Sequence, residues 1–281
     1  MEIIMKKAIC VILSAVLICL SFAGCSSGGS AKEDAVLKVG YTGDCAPFIT
    51  VSKSGDGTGF DVELLKLIAN DYGLPLDFTK IEFVKMQAGD ELSSAENSEL
   101  PRILIGGIKK NVSNLNKSYM WSDVIISSDI IVIANESSGI KKYNDLVGKK
   151  VLYAGENAKA ALDKNSSLSS TMILTKSDSA QKAVELLKAG KADAAVVETL
   201  DYGTLGADTV KGIAALNGKL DTVEYAFAFA KSDEDLCNSF NEGFAKACND
   251  PDKGDVVSPL AKKAFKCDGA VNIPETTTEK D

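Results

Sequence analysis

Histidine is absent from this chain of 281 residues, so the side chain that most often transfers protons near neutral pH and binds metals is missing. No cysteine spacing is typical of a zinc site. Basic residues number 31 against 39 acidic ones, a formal net charge of −8, whereas a nucleic-acid binder needs clustered lysine and arginine. The composition therefore disfavours an enzyme and a nucleic-acid partner, and we predict neither a metal nor a cofactor.

The amino terminus has the features of a secretion signal. Two lysines precede an apolar run at residues 8–20, which is too short to span a bilayer comfortably, and small residues follow it. Cys25, directly after Ala-Gly, resembles the lipidated cysteine of bacterial lipoproteins, although Phe22 stands where those signals usually carry an aliphatic residue. We predict a signal peptide at residues 1–24 and a lipid anchor on Cys25 that holds the protein at the extracytoplasmic face of the cell membrane. Simple secretion is the alternative.

The chain after the signal is predicted to be a globular body between two polar ends. Residues 25–34, rich in serine and glycine, are a flexible tether. Residues 274–281, which carry no apolar side chain to bury, form a disordered tail. At 45% hydrophobic and 25% charged residues, the chain has enough apolar material for one large domain or two of ordinary size.

Four cysteines remain in the body, and their spacing alone fixes no pairing: Cys45, Cys237, Cys248 and Cys267. Apolar residues at helical spacing predict one helix over residues 234–248. The two cysteines on that helix would lie about 16 Å apart along its axis, too far for a disulfide. We interpret the four residues as small buried thiols.

From Val36 onwards, strand-like and helix-like segments alternate. An apolar strand at residues 36–41 is followed by a helix at residues 60–70 and a strand at residues 76–83. Another strand, at residues 103–105, runs into a glycine turn. This order predicts a parallel sheet with right-handed crossovers.

A second unit of the same kind follows. An apolar run at residues 124–134 is long enough to cross between lobes, and a helix from near Ser177 to Gly190 leads into a strand at residues 194–198. A strand at residues 225–230 then returns the chain towards its beginning. We predict an α/β fold of two parallel-sheet lobes joined by a two-strand hinge.

Four segments of this pattern resemble one known family: GFDVELLKLIA at residues 59–69, DLVGKKV at 145–151, KADAAVVE at 191–198 and YAFAFAK at 225–231. Their order and spacing resemble the extracellular solute-binding proteins, family 3, of polar amino acid ABC transporters, whose fold is of the type II periplasmic-binding-protein kind. The resemblance covers nearly the whole mature chain. It implies two lobes that close on a ligand about a hinge. It also implies a monomeric substrate-binding lipoprotein that passes a small amine-bearing solute, an amino acid or a derivative, to an ABC permease.

The resemblance further implies where the lobes divide and which residues bind the ligand. The first lobe would be discontinuous, with residues 35–128 and 225–273, and the second would contain residues 129–224. Glu198 matches the second-lobe carboxylate that meets the ammonium of an amino acid. The implied ligand-binding residues are Asp44, Cys45, Phe48, Gly107, Ile108, Lys109, Asn157 and Glu198.

Departures from the family pattern bear on the ligand. Residues 109–115 lack the arginine that clamps the carboxylate of an amino acid, and Lys109 offers only a point charge there. Glu156 occupies a helix start where relatives carry serine or threonine, and it would repel an anionic group, although Asn157 can donate a hydrogen bond. Cys45 stands where an aromatic residue commonly stacks on the ligand. With carboxylates in excess, we predict an amine-bearing ligand and disfavour a strongly anionic one.

Two other functions stay open. Some proteins of this fold are enzymes, such as dehydratases of the cyclohexadienyl type, in which Glu198 could act as a general acid. No second residue at motif spacing supports acid–base chemistry. The other alternative is a sensory or interaction lipoprotein without a role in transport.

Overall fold

The structure is a computed structural model that describes residues 36–74, 80–86 and 101–274. The predicted signal peptide, Cys25 with its predicted lipid anchor, the predicted tether and residues 275–281 of the predicted tail lie outside the described residues. The described chain is a mixed α/β protein in which two large sheets form two lobes. Within these three ranges, no helix has both the length and the apolar character that crossing a membrane requires.

The elements of the described residues are numbered in chain order. The strands are β1 (Val36–Tyr41), β2 (Thr50–Val51), β3 (Gly57–Thr58), β4 (Lys80–Lys85), β5 (Ile103–Ile105), β6 (Tyr119–Trp121), β7 (Ile126–Asn135), β8 (Lys150–Ala154), β9 (Ile173–Ser177), β10 (Ala194–Glu198), β11 (Ile213–Ala215), β12 (Asp221–Tyr225) and β13 (Ala228–Ala230). The α-helices are α1 (Phe60–Asp71), α2 (Gly155–Lys164), α3 (Ser166–Ser169), α4 (Ala180–Lys188), α5 (Thr199–Thr204), α6 (Ala207–Val210), α7 (Glu234–Cys248) and α8 (Val257–Phe265). Short 3-10 helices lie at Glu136–Ser138, Tyr143–Leu146 and Lys231–Asp233.

The first lobe is built on a five-stranded sheet with the order β4-β1-β5-β13-β6. Strand β1 runs parallel to β4 and β5, as expected when α1 connects β1 to β4. Strand β13 comes from far along the chain and runs antiparallel to β5 and β6, so the sheet is mixed rather than purely parallel. On this sheet packs α7, whose Phe240 ring centroid lies 5.0 Å from that of Phe227 and 5.3 Å from that of Phe229.

Helix α1 begins and ends close to the predicted bounds, 60–70. Phe60, Leu64 and Ile68 form one buried stripe at a spacing of four residues, which favours an amphipathic helix. Gly59 precedes it with a φ of 116°, and a Cβ at this position would lie 2.4 Å from the carbonyl oxygen of Phe48. Glycine therefore lets the preceding loop pack directly against the start of α1.

The second lobe is built on the sheet β11-β7-β10-β8-β9, with β12 paired to the same edge of β7 as β11. Strands β8, β9 and β10 are parallel, whereas β7 runs antiparallel to β10, so this sheet is also mixed.

The predicted helix near Ser177 is α4, where the Ser179 hydroxyl accepts a hydrogen bond from the Lys182 N–H, a typical N-cap. The predicted strand at residues 194–198 is β10. The strand predicted at 76–83 appears as β4, which begins at Lys80, and residues 75–79 lie outside the described ranges.

Four backbone segments lie side by side between the lobes. Lys109 pairs with Tyr225, Tyr225 with Ile126, and Ile126 with Val271. The two segments predicted for the hinge, which contain Ile126 and Tyr225, are therefore each flanked on the outer side by one further segment. We call these four segments the hinge ribbon, which consists of residues 108–110, 224–226, 125–127 and 270–272.

The four cysteines of the described chain are free thiols. The predicted helix over residues 234–248 is α7, and burial raises the pKa of its Cys237 thiol to about 11 and that of Cys248 to about 12. Cys45 is exposed and Cys267 is half-buried. The prediction of buried thiols thus holds for two of the four residues, because the other two lie on loops rather than on a core-facing helix stripe.

Candidate functional site

Glu198 is the last residue of β10, and α5 follows it directly. Its side chain is 8% exposed, which is unusual for a glutamate and requires hydrogen-bond partners. Asn157 Nδ2 donates to Glu198 Oε1 over 2.8 Å, and the Tyr225 hydroxyl donates to Oε2 over 2.7 Å. Both donors are neutral, so they satisfy the carboxylate without cancelling its charge.

Neighbouring strands bring these three side chains together. Strands β8 and β10 are parallel, so their carboxyl ends meet at one edge of the sheet. Glu198 ends β10, and Asn157 lies in the first turn of α2, which directly follows β8. Tyr225 ends β12, which is separated from β10 only by β7. The site is thus the place where the second sheet meets the hinge ribbon.

The first lobe contributes an aromatic wall. The loop that contains Cys45 and Phe48 is tied to the start of α1, where the Asp61 N–H donates to the Phe48 carbonyl over 3.0 Å. The Phe48 ring is buried, and its centroid lies 5.1 Å from that of Tyr225 and 4.8 Å from that of Phe265. Phe48 therefore connects the first-lobe core to the tyrosine that contacts Glu198.

Asp61 organises the glycine turn beside this wall. Its Oδ2 accepts hydrogen bonds from the N–H groups of Gly106 and Gly107, over 2.7 and 2.9 Å. Burial raises the pKa of Asp61 to about 6, even though both hydrogen bonds act to lower it. Gly107 has a φ of 66°, and a Cβ there would lie 2.7 Å from the Phe48 ring. The N–H of Gly107 thus donates to Asp61, and because Gly107 has no side chain, the Phe48 ring can pack against it.

A further carboxylate, that of Asp201, adds to the negative charge near Glu198. Asp201, in the first turn of α5, has a pKa raised to about 6, first by partial loss of solvent and then by the charge of Glu198, although solvent still reaches the side chain. The pKa of the Cys45 thiol is raised as well, first by desolvation and then by the charges of Asp61, Asp201 and Glu198. Carboxylates of both lobes therefore act on the Cys45 thiol.

Three of the predicted site residues have structural partners of their own. Asp44 is exposed, and its Oδ1 accepts the Val51 N–H over 2.9 Å, which closes the loop. The Ile108 carbonyl accepts the Ala226 N–H over 3.1 Å within the hinge ribbon. Lys109 belongs to the same ribbon, and its side chain is exposed.

Lys109 and Glu156 interact with charged residues other than Glu198. The pKa of Asp221 is lowered chiefly by a hydrogen bond from Lys164, and Lys109 adds a smaller contribution. Glu156 is exposed and pairs with Lys176 over 2.8 Å, which lowers the pKa of Glu156. The contact joins the first turn of α2 to β9 at the protein surface.

The structure thus assembles Cys45, Phe48, Gly107, Asn157 and Glu198 from the predicted set. Sequence reasoning missed Tyr225, Asp61 and Asp201. The first two lie inside the segments that carry the family resemblance, but a polar residue in the first turn of a helix and an aromatic residue at a strand end are both common in ordinary structure.

The site has an excess of negative charge. Among the residues that the structure describes, no lysine or arginine forms an ion pair with Glu198, Asp61 or Asp201. The same residues contain no group of three or more cysteine, aspartate or glutamate side chains arranged to hold a metal ion. Chemically, the arrangement suits an organic cation that can donate hydrogen bonds to carboxylates.

Comparisons with known proteins identify the family of the chain. The model of the family described as "Bacterial extracellular solute-binding proteins, family 3" matches residues 37–254. A "Probable amino-acid ABC transporter-binding protein" of Haemophilus influenzae is 29% identical over 214 residues, which cover 75% of this chain and 79% of that protein. The "Arginine-binding extracellular protein ArtP" of Bacillus subtilis is 26% identical over 268 residues, 93% of this chain and 98% of that protein.

Solved structures show the same fold. A polar amino acid ABC uptake transporter substrate-binding protein from Streptococcus thermophilus superposes with a TM-score of 0.65 at 16% identity. The similarity covers 87% of this chain and 91% of that one. At this identity the likeness shows the fold alone.

Proposed function

Because the chain belongs to the bacterial extracellular solute-binding proteins of family 3, we propose that it captures a small amine-bearing solute, an amino acid or a close derivative. Its role is that of the substrate-binding protein of an amino-acid ABC importer, acting outside the cytoplasm. Such a protein binds a small molecule and interacts with a permease. The nature of the solute is the part that the geometry of the site addresses.

The observation that supports an amine is the environment of Glu198. The carboxylate is buried, and Asn157 and Tyr225 each occupy one acceptor position on it. Each oxygen keeps a second lone pair. A buried carboxylate without a cationic partner gains more from an ammonium than an exposed one does, because little water screens the pair. Asp201 and Asp61 add negative charge that repels anions.

The anionic end of an amino acid would be held differently from its amine. No arginine follows the glycine turn, and both turn N–H groups donate to Asp61. Dicarboxylates and phosphates should therefore bind poorly. We therefore propose that the ligand is recognised through its amine and held only weakly at its carboxylate. Amino acids and their derivatives form the class that fits this description.

We propose that binding occurs without turnover. A general acid must donate a proton, yet Glu198 acts as acceptor on both oxygens towards Asn157 and Tyr225. The chain also lacks histidine. The family and the relatives in the comparisons are solute-binding proteins.

The same proposal includes the organisation of the protein at the cell surface. The first lobe would comprise residues 35–128 and 225–273, and the second lobe residues 129–224. A lipid on Cys25 would anchor a monomer to the membrane through the tether at residues 25–34. The sheets support this division, since β13 joins the first sheet and β12 the second.

A thermal-shift screen tests the ligand class. The panel would contain the common amino acids, L-cystine, simple diamines, dicarboxylates and phosphates, and binding to the folded state raises the melting temperature. We expect the largest rises from amine-bearing compounds, and we expect Glu198→Gln to abolish them while the unliganded protein stays folded. Glu185→Gln, at an exposed position on α4, is the matched control. A best ligand without an amine, or an unchanged rise in Glu198→Gln, would contradict the proposal.

A further inference from the structure

We propose that Tyr225 is a positioning residue of this site: its hydroxyl fixes the orientation of Glu198, and closure of the lobes fixes Tyr225. The proposal rests on the proposed function, since it concerns how the same carboxylate meets its cation. Neither the sequence pattern nor the family comparison assigns a role to this residue. Its contacts with three different parts of the molecule carry the inference.

The first contact is with the binding carboxylate. The Tyr225 hydroxyl donates to Glu198 Oε2 over 2.7 Å, and Asn157 Nδ2 lies 3.4 Å from the same hydroxyl oxygen. A glutamate side chain has three rotatable bonds, so two donors on two oxygens restrict it strongly. Burial, followed by the negative charge of Glu198, raises the pKa of Tyr225, which keeps the phenol protonated and able to donate.

The second contact is with the first lobe. The Phe48 ring packs on the Tyr225 ring with an interplanar angle of 45°. Phe48 is held in turn by the loop joined to α1 and by the Phe265 ring. Tyr225 therefore presents its apolar ring to the first lobe and its hydroxyl to the second-lobe carboxylate. Because the ring and the hydroxyl contact different lobes, separation of the lobes would break one of these two contacts and free the phenol to move.

The third contact is through the backbone. Tyr225 pairs with Lys109 on one side and with Ile126 on the other, in the middle of the hinge ribbon. Strand β12 also belongs to the second sheet, two strands from Glu198. The residue thus lies in the hinge ribbon, and its side chain ends at the carboxylate of Glu198. This placement links closure to the geometry of the carboxylate.

An ordinary buried tyrosine of this chain shows the difference. Tyr119 is 1% exposed, and its hydroxyl donates to the Pro101 carbonyl over 2.9 Å within the first lobe. That bond stabilises the fold and touches no carboxylate. Tyr119→Phe is therefore a matched control, because it removes a buried hydroxyl with one hydrogen bond of similar length.

Isothermal titration calorimetry tests the proposal on the full chain, with L-arginine, L-lysine and L-cystine as probes. Tyr225→Phe keeps the ring and removes only the hydroxyl, and loss of one hydrogen bond to a charged group should weaken binding about tenfold. Tyr119→Phe should lower the melting temperature without changing affinity. Equal affinity in Tyr225→Phe and the wild type would overturn the proposal.

A spectroscopic measurement decides the case in which the wild type binds none of the three probes. That result counts against the proposed ligand class but leaves the positioning role to be judged separately. Tyrosine labelled with 13C at Cζ would report the hydroxyl of Tyr225, assigned by its loss in Tyr225→Phe. We expect Glu198→Gln to shift this signal and to leave the Tyr119 signal in place. An unshifted Tyr225 signal would overturn the positioning role.

Discussion

The side-chain amide of Asn157 donates to the carboxylate of Glu198 over 2.8 Å. The sequence suggested this amide as a donor for the anionic end of a ligand. In the structure it supports the carboxylate instead, and its nitrogen also approaches the hydroxyl of Tyr225. The two neutral donors nearest to Glu198, Asn157 and Tyr225, therefore bind its carboxylate rather than the anionic end of a ligand.

Replacing this amide should weaken recognition of amines. Asn157→Ala leaves Glu198 with a single donor and greater freedom, so we expect affinity for the best amine of the thermal screen to fall about tenfold. Calorimetry measures the change. Asn217→Ala, at an exposed position of the second lobe, should have no effect. Unaltered binding by Asn157→Ala would show that the amide does not support Glu198.

A methyl group at Gly107 should disturb the aromatic wall. The position has a φ of 66°, and the new Cβ would lie 2.7 Å from the Phe48 ring, so the ring must move. Backbone strain and overpacking together should lower the free energy of unfolding by about 2 to 4 kcal/mol. Urea denaturation measures this loss.

Gly190 is the matched control for that substitution. Its φ is 64°, and nothing lies within 4 Å of the site of a new Cβ. Gly190→Ala should therefore show the backbone strain alone, about 1 kcal/mol. If both variants lose equal stability, the contact between Gly107 and Phe48 has no energetic weight.

Asp61 should make stability depend on pH in a predictable direction. Its pKa is raised from 3.8 to about 6 on folding, so the folded protein holds the proton more tightly than the unfolded chain. The stabilisation from this group is fully present below about pH 4 and is lost as the pH rises through about 6. Relative to Asp61→Asn, the wild type should therefore lose up to about 3 kcal/mol between pH 4 and pH 7.

Urea denaturation of both proteins at pH 4, 5, 6 and 7 measures this difference. Asp178→Asn is the matched control, because it removes one carboxylate at an exposed site. A constant difference between the wild type and Asp61→Asn across these pH values would mean that Asp61 does not titrate on its own in the folded protein.

Cys25 should carry the membrane anchor. In cells fed a fatty-acid probe, the wild type should be labelled and recovered with membranes, because lipid chains provide the binding energy that the tether lacks. Cys25→Ser should be unlabelled and released. Cys45→Ser keeps Cys25 and should stay labelled. Equal labelling of the wild type and Cys25→Ser would reject lipidation at this cysteine.

Local pattern was enough to predict several elements of the fold. The apolar stripe of α1, the cap of α4 and the apolar run of β10 are contained in short stretches of chain, so periodicity and caps located them closely. The long-range pairings were not accessible in this way. The contact between Ile126 and Val271 joins residues far apart in sequence, and in the described part of the chain Val271 belongs to no strand but forms an isolated bridge.

The candidate site was predicted in part for the same reason. Glu198 ends an apolar strand, which made it noticeable, and the family resemblance supplied its role. The residues that bind Glu198 and Asp61 are brought there by three-dimensional packing. The spacing of residues in the sequence does not predict these contacts. Glu156 illustrates this point, since its partner Lys176 comes from a neighbouring strand that begins nine residues after α2 ends.

The hinge ribbon determines where a sensor built on this protein should carry its labels. One of its outer segments, residues 270–272, is followed by the exposed residue Ile273, so a dye attached at position 273 would lie next to the ribbon about which we propose that the lobes close. Such a dye would travel only a short distance on closure. Donor and acceptor dyes at the outer strands of the two sheets, β4 in one lobe and β9 in the other, would change their separation far more.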